Sequence, residues 1–419
     1  MDSKIIRPGY YDKSKRSIKI PVGELRVGMF VSKLDRDWLE TPFLLQGFVV
    51  ETQDDVDTVA EYANFVWVDA VEPSWVPPEE RGTLSPKTPR KTTYINKVSA
   101  GDEHERAHGV FREARKLTRT LVDDIRLGGV INTEEAKATV RSCVDSILSN
   151  PDALLWMTKI RDQDNYTAEH CLNVCILAIA FGRHLGMSES DLEKLGLCGL
   201  LHDVGKMRIP SEVLNKPGEL TPKEWNMMRA HVVHGRNLLL ATPGVLHAAV
   251  DVAYSHHERM DGTGYPRKLP GTGISAFSRI IAIVDAYDAM TAERCYASAI
   301  PSTDALKIIY NDRGTHFDET LALAFIKSVG LYPPGSLVEL ANGLIGLVLE
   351  SNPKFSHLPM VVAIKRGEKD LVREKIIDLS QIEQGKLDKS FLIRHVHKDG
   401  SFGIYLREYR EKGFVFKTA

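Results

Sequence analysis

The chain has 419 residues, 43% of them hydrophobic and 26% charged, with 54 Lys+Arg against 56 Asp+Glu for a formal charge of −2. At about 150 residues per domain this length predicts two or three domains, and the near-balance of charge excludes a broad basic face for a nucleic-acid polymer, whose backbone is gripped by clustered Lys and Arg. Five cysteines at no repeated spacing exclude a secreted disulfide scaffold; with no apolar signal region at the N-terminus and no apolar run longer than Val174–Phe181, we expect a cytoplasmic chain that does not enter a membrane.

Residues 1–72 read as a small α+β domain. Ile18, Ile20 and Val22, then Leu25, Val27, Met29 and Val31, alternate with polar residues as strands with one core face do. A short helix over Gln53–Tyr62 is predicted between two further strands. Residues 73–102 read as a linker, because Pro73, Pro77, Pro78, Pro86 and Pro89 stand among Ser, Thr, Lys and Arg with little apolar surface to bury. Residues 103–150 read as connecting helices: Val110, Phe111, Ala114, Leu117, Leu121 and Ile125 keep helical spacing to Gly128-Gly129, and Asn132 caps a second helix. Residues 151–333 read as a helical domain of roughly seven helical segments without strand alternation. After Pro333-Pro334-Gly335, residues 334–419 read as a β-rich segment. Asn342-Gly343 signals a hairpin there, and Met360–Ile364, Glu374–Leu379 and Phe402–Leu406 look like further strands. The fold class is therefore multidomain: an all-α bundle as catalytic core, preceded by a small α+β domain and followed by a small β-rich segment.

Eight of the 14 histidines fall between His170 and His257. His202-Asp203 closes an apolar helix, LEKLGLCGLLHDVGK. His256-His257 follows another apolar stretch, and Asp285 lies inside IIAIVDAYDAM, where a carboxylate is costly unless paired or coordinated. A lone histidine on an apolar helix is ordinarily a packed core residue. This series together fits metal ligation, since neutral imidazoles bind borderline divalent metals and carboxylates can bridge two of them. Two such cations can clamp an in-line phosphoryl displacement. Lys206, three residues after Asp203, is placed to add positive charge beside a phosphate. His184, His234 and His247 read as structural or surface residues.

These residues resemble the HD superfamily of metal-dependent phosphohydrolases and, more finely, its HD-GYP subfamily. The signature stands as His256-His257-Glu258-Arg259-Met260-Asp261-Gly262-Thr263-Gly264-Tyr265-Pro266. It is flanked by Tyr166-Thr167 before His170, by His202-Asp203-Val204-Gly205-Lys206, by Asp285-Ala286-Tyr287-Asp288-Ala289-Met290-Thr291 and by Gly314-Thr315-His316-Phe317-Asp318. The resemblance implies hydrolysis of the bacterial second messenger cyclic di-GMP to linear pGpG, and in some members on to GMP, by attack of a metal-bridged hydroxide. It implies His170, His202, Asp203, His231, His256, His257 and Asp285 as metal ligands, with Asp203 the bridge. Lys206 would contact the scissile phosphate, Gly264, Tyr265 and Pro266 would shape the substrate pocket, and Arg294 and Arg313 would meet phosphate or guanine. Two divalent metals are expected, with iron favoured and Mn, Ni or Zn as alternatives. Some members hold a third through a Glu four residues before the first His, where this chain has Tyr166. Cyclic di-GMP is the expected small-molecule partner, and a second copy of the chain or a diguanylate-cyclase-type protein the expected macromolecular one. Residues 18–72, with Gly28-Met29 and the run Pro42–Phe48, resemble the small domain of unknown function that often precedes HD-GYP domains.

Two rival functions remain at this point. One is an HD hydrolase of another nucleotide, which the intact Gly-Tyr-Pro segment disfavours. The other is a catalytically silent cyclic di-GMP-binding or adaptor protein, which the intact ligand set and Lys206 disfavour. His104-Glu105-Arg106-Ala107-His108 matches the zinc-protease pattern H-E-x-x-H but lacks its third histidine, and we read it as a solvated helix start. Cys171 and Cys175 read as core residues.

Overall fold

The structure, a computed structural model, describes residues 17–27, 29–35, 48–50, 53–69, 92–159, 166–292, 299–352, 354–366, 370–406 and 408. It divides into two units, residues 1–90 with 355–357, and residues 91–354 with 358–419.

In the first unit β1 (Ser17–Pro21), β2 (Phe30–Leu34), β3 (Phe48–Val49), α1 (Gln53–Tyr62) and β4 (Phe65–Asp69) follow in order. The strands form an antiparallel sheet in the order β1-β4-β2-β3. Val31 pairs with Val68 and Leu34 with Val66, and these join Val22, Leu25, Val50 and Val59 in the core. The expected single face holds only in part: Ile18 and Val27 are about half exposed. Ile18 lies on an edge strand, and Val27 falls in the turn before β2. Pro42–Gly47, Gly28 and the proline-rich tract up to 91 lie outside the described residues.

The second unit opens on the long α2 (Ala100–Arg126), which starts inside the tract read as linker. The reason is local: the Ser99 side chain accepts from the Asp102 backbone N–H and caps the helix. Residues just before it are also tied down, with Thr92 N donating to Gly186 O and Lys97 N to Ser149 O. Then come α3 (Thr133–Ser149), capped by Asn132 as expected, and α4 (Pro151–Met157), capped by Asn150 with proline in its first turn. There follow α5 (Tyr166–His184), α6 (Glu189–Leu201), a 3-10 turn over Val204–Arg208, α7 (Ser211–Leu214), α8 (Pro222–Arg229), α9 (His231–Leu240), α10 (His247–Ser255), α11 (Ala276–Thr291), α12 (Ser302–Asn311) and α13 (Glu319–Val329). More helices appear than the seven expected because several are short. α7 has four residues and α8 eight, too few to show a period. α5 is the central rod, with Leu172, Val174, Cys175, Ile176, Ala178 and Ile179 fully buried. Gly199 lets α6 approach it closely, since a Cβ there would lie 3.0 Å from Cys175 Cα.

The chain then forms β5 (Leu337–Leu340), β6 (Leu344–Glu350), β7 (Met360–Arg366), β8 (Asp370–Asp378) and β9 (Ile393–His397). They make an antiparallel sheet in the order β8-β7-β6-β5-β9. The expected hairpin turns at Gly343, whose φ of 81° suits glycine. Phe402–Leu406 is not a strand. Gly400 and Gly403 adopt positive φ there, and a 3-10 turn over Ser401–Gly403 takes its place. The sheet docks on the helices through two carboxylates, one buried (Asp152) and one half-buried (Glu350). Asp152 accepts from the backbone and hydroxyl of Ser351 at 2.7 Å each, and Glu350 accepts from Asn150 at 3.1 Å. Among the described residues no helix is long and apolar enough to cross a membrane.

Candidate metal centre

The seven residues expected as ligands converge on one place, although they come from five helices. His170 is the fifth residue of α5. His202 ends α6, and Asp203 opens the 3-10 turn that follows. His231 begins α9, His256 and His257 end α10, and Asp285 lies within α11. Gly205 makes this possible, because a Cβ there would stand 2.0 Å from His231 O and 2.4 Å from Gly235 N. Only a bare backbone lets the turn after Asp203 press against α9.

Asp203 is at the centre, fully buried. Its Oδ2 lies 3.5 Å from His170 Nε2 and 3.3 Å from His202 Nε2; its Oδ1 lies 3.4 Å from His231 Nε2 and 3.6 Å from His256 Nε2. Each carboxylate oxygen thus faces its own pair of imidazoles. Asp285 closes the first side, with Oδ1 3.0 Å from His170 Nε2 and 3.8 Å from His202 Nε2. His257 joins the second side, in a group with His231 and His256 whose donor atoms lie within 4.8 Å of one another. Lys206 Nζ contacts Asp203 Oδ2.

The far nitrogen of each central ring is anchored. His202 Nδ1 donates to Gly199 O at 2.7 Å, His231 Nδ1 to Met228 O at 2.7 Å and His256 Nδ1 to Val252 O at 3.0 Å. His170 Nδ1 lies 2.8 Å from Asp288 Oδ2. A carbonyl can only accept, so these partners put the first proton on Nδ1, and in the neutral ring that metal ligation requires the Nε2 lone pair faces Asp203. His231 and His256 then bring two Nε2 atoms to 3.4 Å, lone pair to lone pair. His202 Nε2 and Asp203 Oδ1 are buried with no hydrogen-bond partner. Orphaned acceptors of this kind fit a divalent cation held among them.

The charges divide the same way. Burial depresses the His170 and His202 rings, but the carboxylates of Asp203 and Asp285, joined at His170 by Asp288, outweigh it and raise them to about 10 and about 9. Burial lowers His231 to about 3 and holds His257 well below its usual value. Burial alone would raise Asp203, yet the Lys206 ammonium and the His202 and His170 rings keep it well below the carboxylate range. One side of the centre therefore has Asp285 beside Asp203, and the other has three imidazoles with Asp203 as its only carboxylate.

The Gly-Tyr-Pro segment forms the wall beside His257. The Tyr265 ring lies 4.8 Å from that of His257, and the Arg229 guanidinium sits 4.4 Å from the centre of the tyrosine ring. Gly264 is needed because a Cβ would meet Arg259 N at 2.4 Å, and the Tyr265–Pro266 peptide is cis. Buried Glu258 ties the loop by accepting from Arg267 N at 2.7 Å and Leu269 N at 3.0 Å. Sequence reasoning did not assign Asp288, Glu258 or Arg229 to the site. Asp288 stood in the Asp285 motif, and a carboxylate one turn from a candidate ligand was the available signal.

Other expected residues lie elsewhere. Arg313 turns to its own neighbours, stacking 3.7 Å from the Tyr310 ring and lying 3.6 Å from Glu319, rather than to the cluster. Arg294 and the Tyr166 side chain lie outside the described residues. Glu169 pairs with Arg115 at 2.7 Å and Arg119 at 3.2 Å, away from the ligands. His104 corrects an expectation: it is buried against Trp156, not solvated, and burial lowers it to about 4. Cys171 and Cys175 are buried and free, and burial pushes the Cys171 thiol up.

Comparison with known proteins agrees with this geometry. A family model described as "HD domain" matches residues 144–321, and one described as a domain of unknown function (DUF3391) matches residues 17–136. A cyclic di-GMP phosphodiesterase of Pseudomonas aeruginosa is 36% identical over 372 residues, covering 87% of this chain and 90% of that protein. A 3'3'-cGAMP-specific phosphodiesterase of Vibrio cholerae is 36% identical over 168 residues, 40% of this chain and 36% of that one. Among solved structures, an HDG"Y"P protein from Bdellovibrio bacteriovorus matches with a TM-score of 0.45 at 16% identity, over 74% of this chain and 98% of its own. The fold and the cluster define an HD-domain protein. More narrowly, the chain belongs to the HD-GYP family, in the form that carries an N-terminal DUF3391 domain.

Proposed function

We propose that the chain is a metal-dependent phosphodiesterase that opens cyclic di-GMP to linear pGpG. One observation supports the hydrolytic reading: a buried carboxylate with a pair of imidazole Nε2 atoms at each of its oxygens. The substrate is supported by the likeness to the Pseudomonas aeruginosa enzyme, which runs along nearly the whole chain.

In this reading His170, His202 and Asp285 would hold one divalent cation and His231, His256 and His257 a second, with Asp203 available to both. Iron is favoured over manganese, nickel and zinc. When bound, such cations supply Lewis-acid activation of water and of a phosphoryl oxygen. Lys206 brings an ammonium to the same carboxylate, where it meets the negative charge that builds on phosphorus. The Asp288 carboxylate and three backbone carbonyls fix the ring tautomers, so little reorganisation is needed during reaction. Tyr265 walls the pocket at His257 and keeps bulk water from that side. Hydrolysis breaks the P–O3′ bond, with the oxygen of water added to phosphorus. We place the reaction in the cytoplasm.

Metal quantification coupled to product analysis tests this. The expected result is about two metals per chain and pGpG from cyclic di-GMP, at higher kcat/KM than for 3'3'-cGAMP. A loaded protein that binds cyclic di-GMP and never cleaves it overturns the enzyme reading. Three metals per chain overturn the binuclear one.

A further inference from the structure

α8 stands out beside the centre. It contains no buried residue, yet it carries Trp225 with half of its surface exposed. Its ends are well anchored. At the start, Thr221 and Glu224 form a reciprocal capping box, and Lys216 reaches Glu224 at 2.6 Å. At the other end the Met228 carbonyl holds the His231 ring, and Arg229 lies over Tyr265. The helix is thus fixed to both the proposed ligands and the Gly-Tyr-Pro wall without supplying anything to the core.

Trp225 and Arg229 are four residues apart, so they share one face of α8 with a rise of about 6 Å between them. The Tyr265 ring lies against His257, the Arg229 guanidinium lies over Tyr265, and Trp225 stands exposed one helical turn before Arg229. A dinucleotide whose phosphate reached the buried cluster would carry its bases toward the exposed residues around it. An indole offers a large, rigid stacking surface. Stacking accepts any purine face and needs no hydrogen-bond code.

We propose that the exposed indole of Trp225 is the stacking platform for a guanine base of the substrate, held in position by the anchored α8. The inference rests on the cyclic dinucleotide reading above. It makes Trp225 a binding residue, so its loss affects KM and leaves the chemistry alone.

The test uses the full-length, metal-loaded chain with Trp225→Ala and Trp225→Phe. Steady-state kinetics on cyclic di-GMP and metal content are measured for each. We expect Trp225→Ala to raise KM about tenfold with kcat and metal content within about twofold of the wild type, and Trp225→Phe to restore most of the loss. An unchanged KM in Trp225→Ala, whatever happens to kcat, overturns the proposal. Loss of metal from Trp225→Ala also overturns it, since it would make α8 a prop of the fold. Failure of the wild type itself to cleave cyclic di-GMP shows up before any variant, and removes the reading on which the inference stands.

Discussion

Asp203 and Asp288 both touch the imidazoles, but they act differently. Asp203 faces four rings with its two oxygens, whereas Asp288 anchors one ring from behind. Asp203→Ala should abolish turnover and lower metal content while far-UV circular dichroism stays that of the wild type. Full activity in that variant would sink the bridging role. Asp288→Asn should instead leave the fold and the stoichiometry intact and weaken metal affinity about 10- to 100-fold, as removal of a carboxylate behind a ligating histidine does. A metal titration reads this directly. The ligand candidates were legible because His-Asp, His-His and a carboxylate in an apolar helix are conspicuous in themselves. Asp288 was not, since its meaning depends on a histidine 118 positions away. His104 was misread for the converse reason. Its sequence neighbours are polar, and what buries it is Trp156 from another helix.

Helices and strands were legible where they are long. The α5 and α6 rods, the Asn132 cap and the Asn342-Gly343 hairpin follow from spacing and turn chemistry alone. The short helices α7 and α8 and the glycine-broken stretch after β9 were not, because a few residues carry no period. The docking of β6 on α4 was also invisible, since it rests on buried polar groups rather than on a pattern. Asp152 there is pushed up to about 6 by burial, against the hydrogen bonds from Ser351, with the Glu350 carboxylate adding to the rise and Arg183 opposing it. A raised carboxyl binds its proton more tightly in the folded chain than in the unfolded one. Its contribution to stability is therefore full below about pH 4 and is lost as pH rises toward 6. Asp152→Asn has no proton to lose. Thermal melts across pH 4 to 8 should show the wild type falling relative to Asp152→Asn by about 3 kcal/mol, most of it between pH 4 and 6. Parallel curves would refute the assignment.

Taken across the chain, the proposed ligands lie between His170 and Asp285, and all fall in the second unit. Cations held there tie α5, the α6 end, α9, α10 and α11 to one point. Binding to the folded state alone adds stability by mass action, about 2.7 kcal/mol per site at a free cation concentration 100 times Kd. Removing metal with a chelator should lower the melting temperature of the second unit and leave the first unit's transition in place, as differential scanning calorimetry would resolve. A single unchanged melting profile would argue against metal in this cluster.

Three of the four central rings take their aim from main-chain oxygens one helical turn back in their own sequence, those of Gly199, Met228 and Val252. A carbonyl survives every substitution of the side chain it belongs to. Mutational scanning should therefore find positions 228 and 252 permissive for ring orientation, however central the rings are. Gly199 is held for a different reason, the approach of α5. Ring aim in those three cases is inherited with helical geometry, and only His170 depends on a side chain that a single base change can remove.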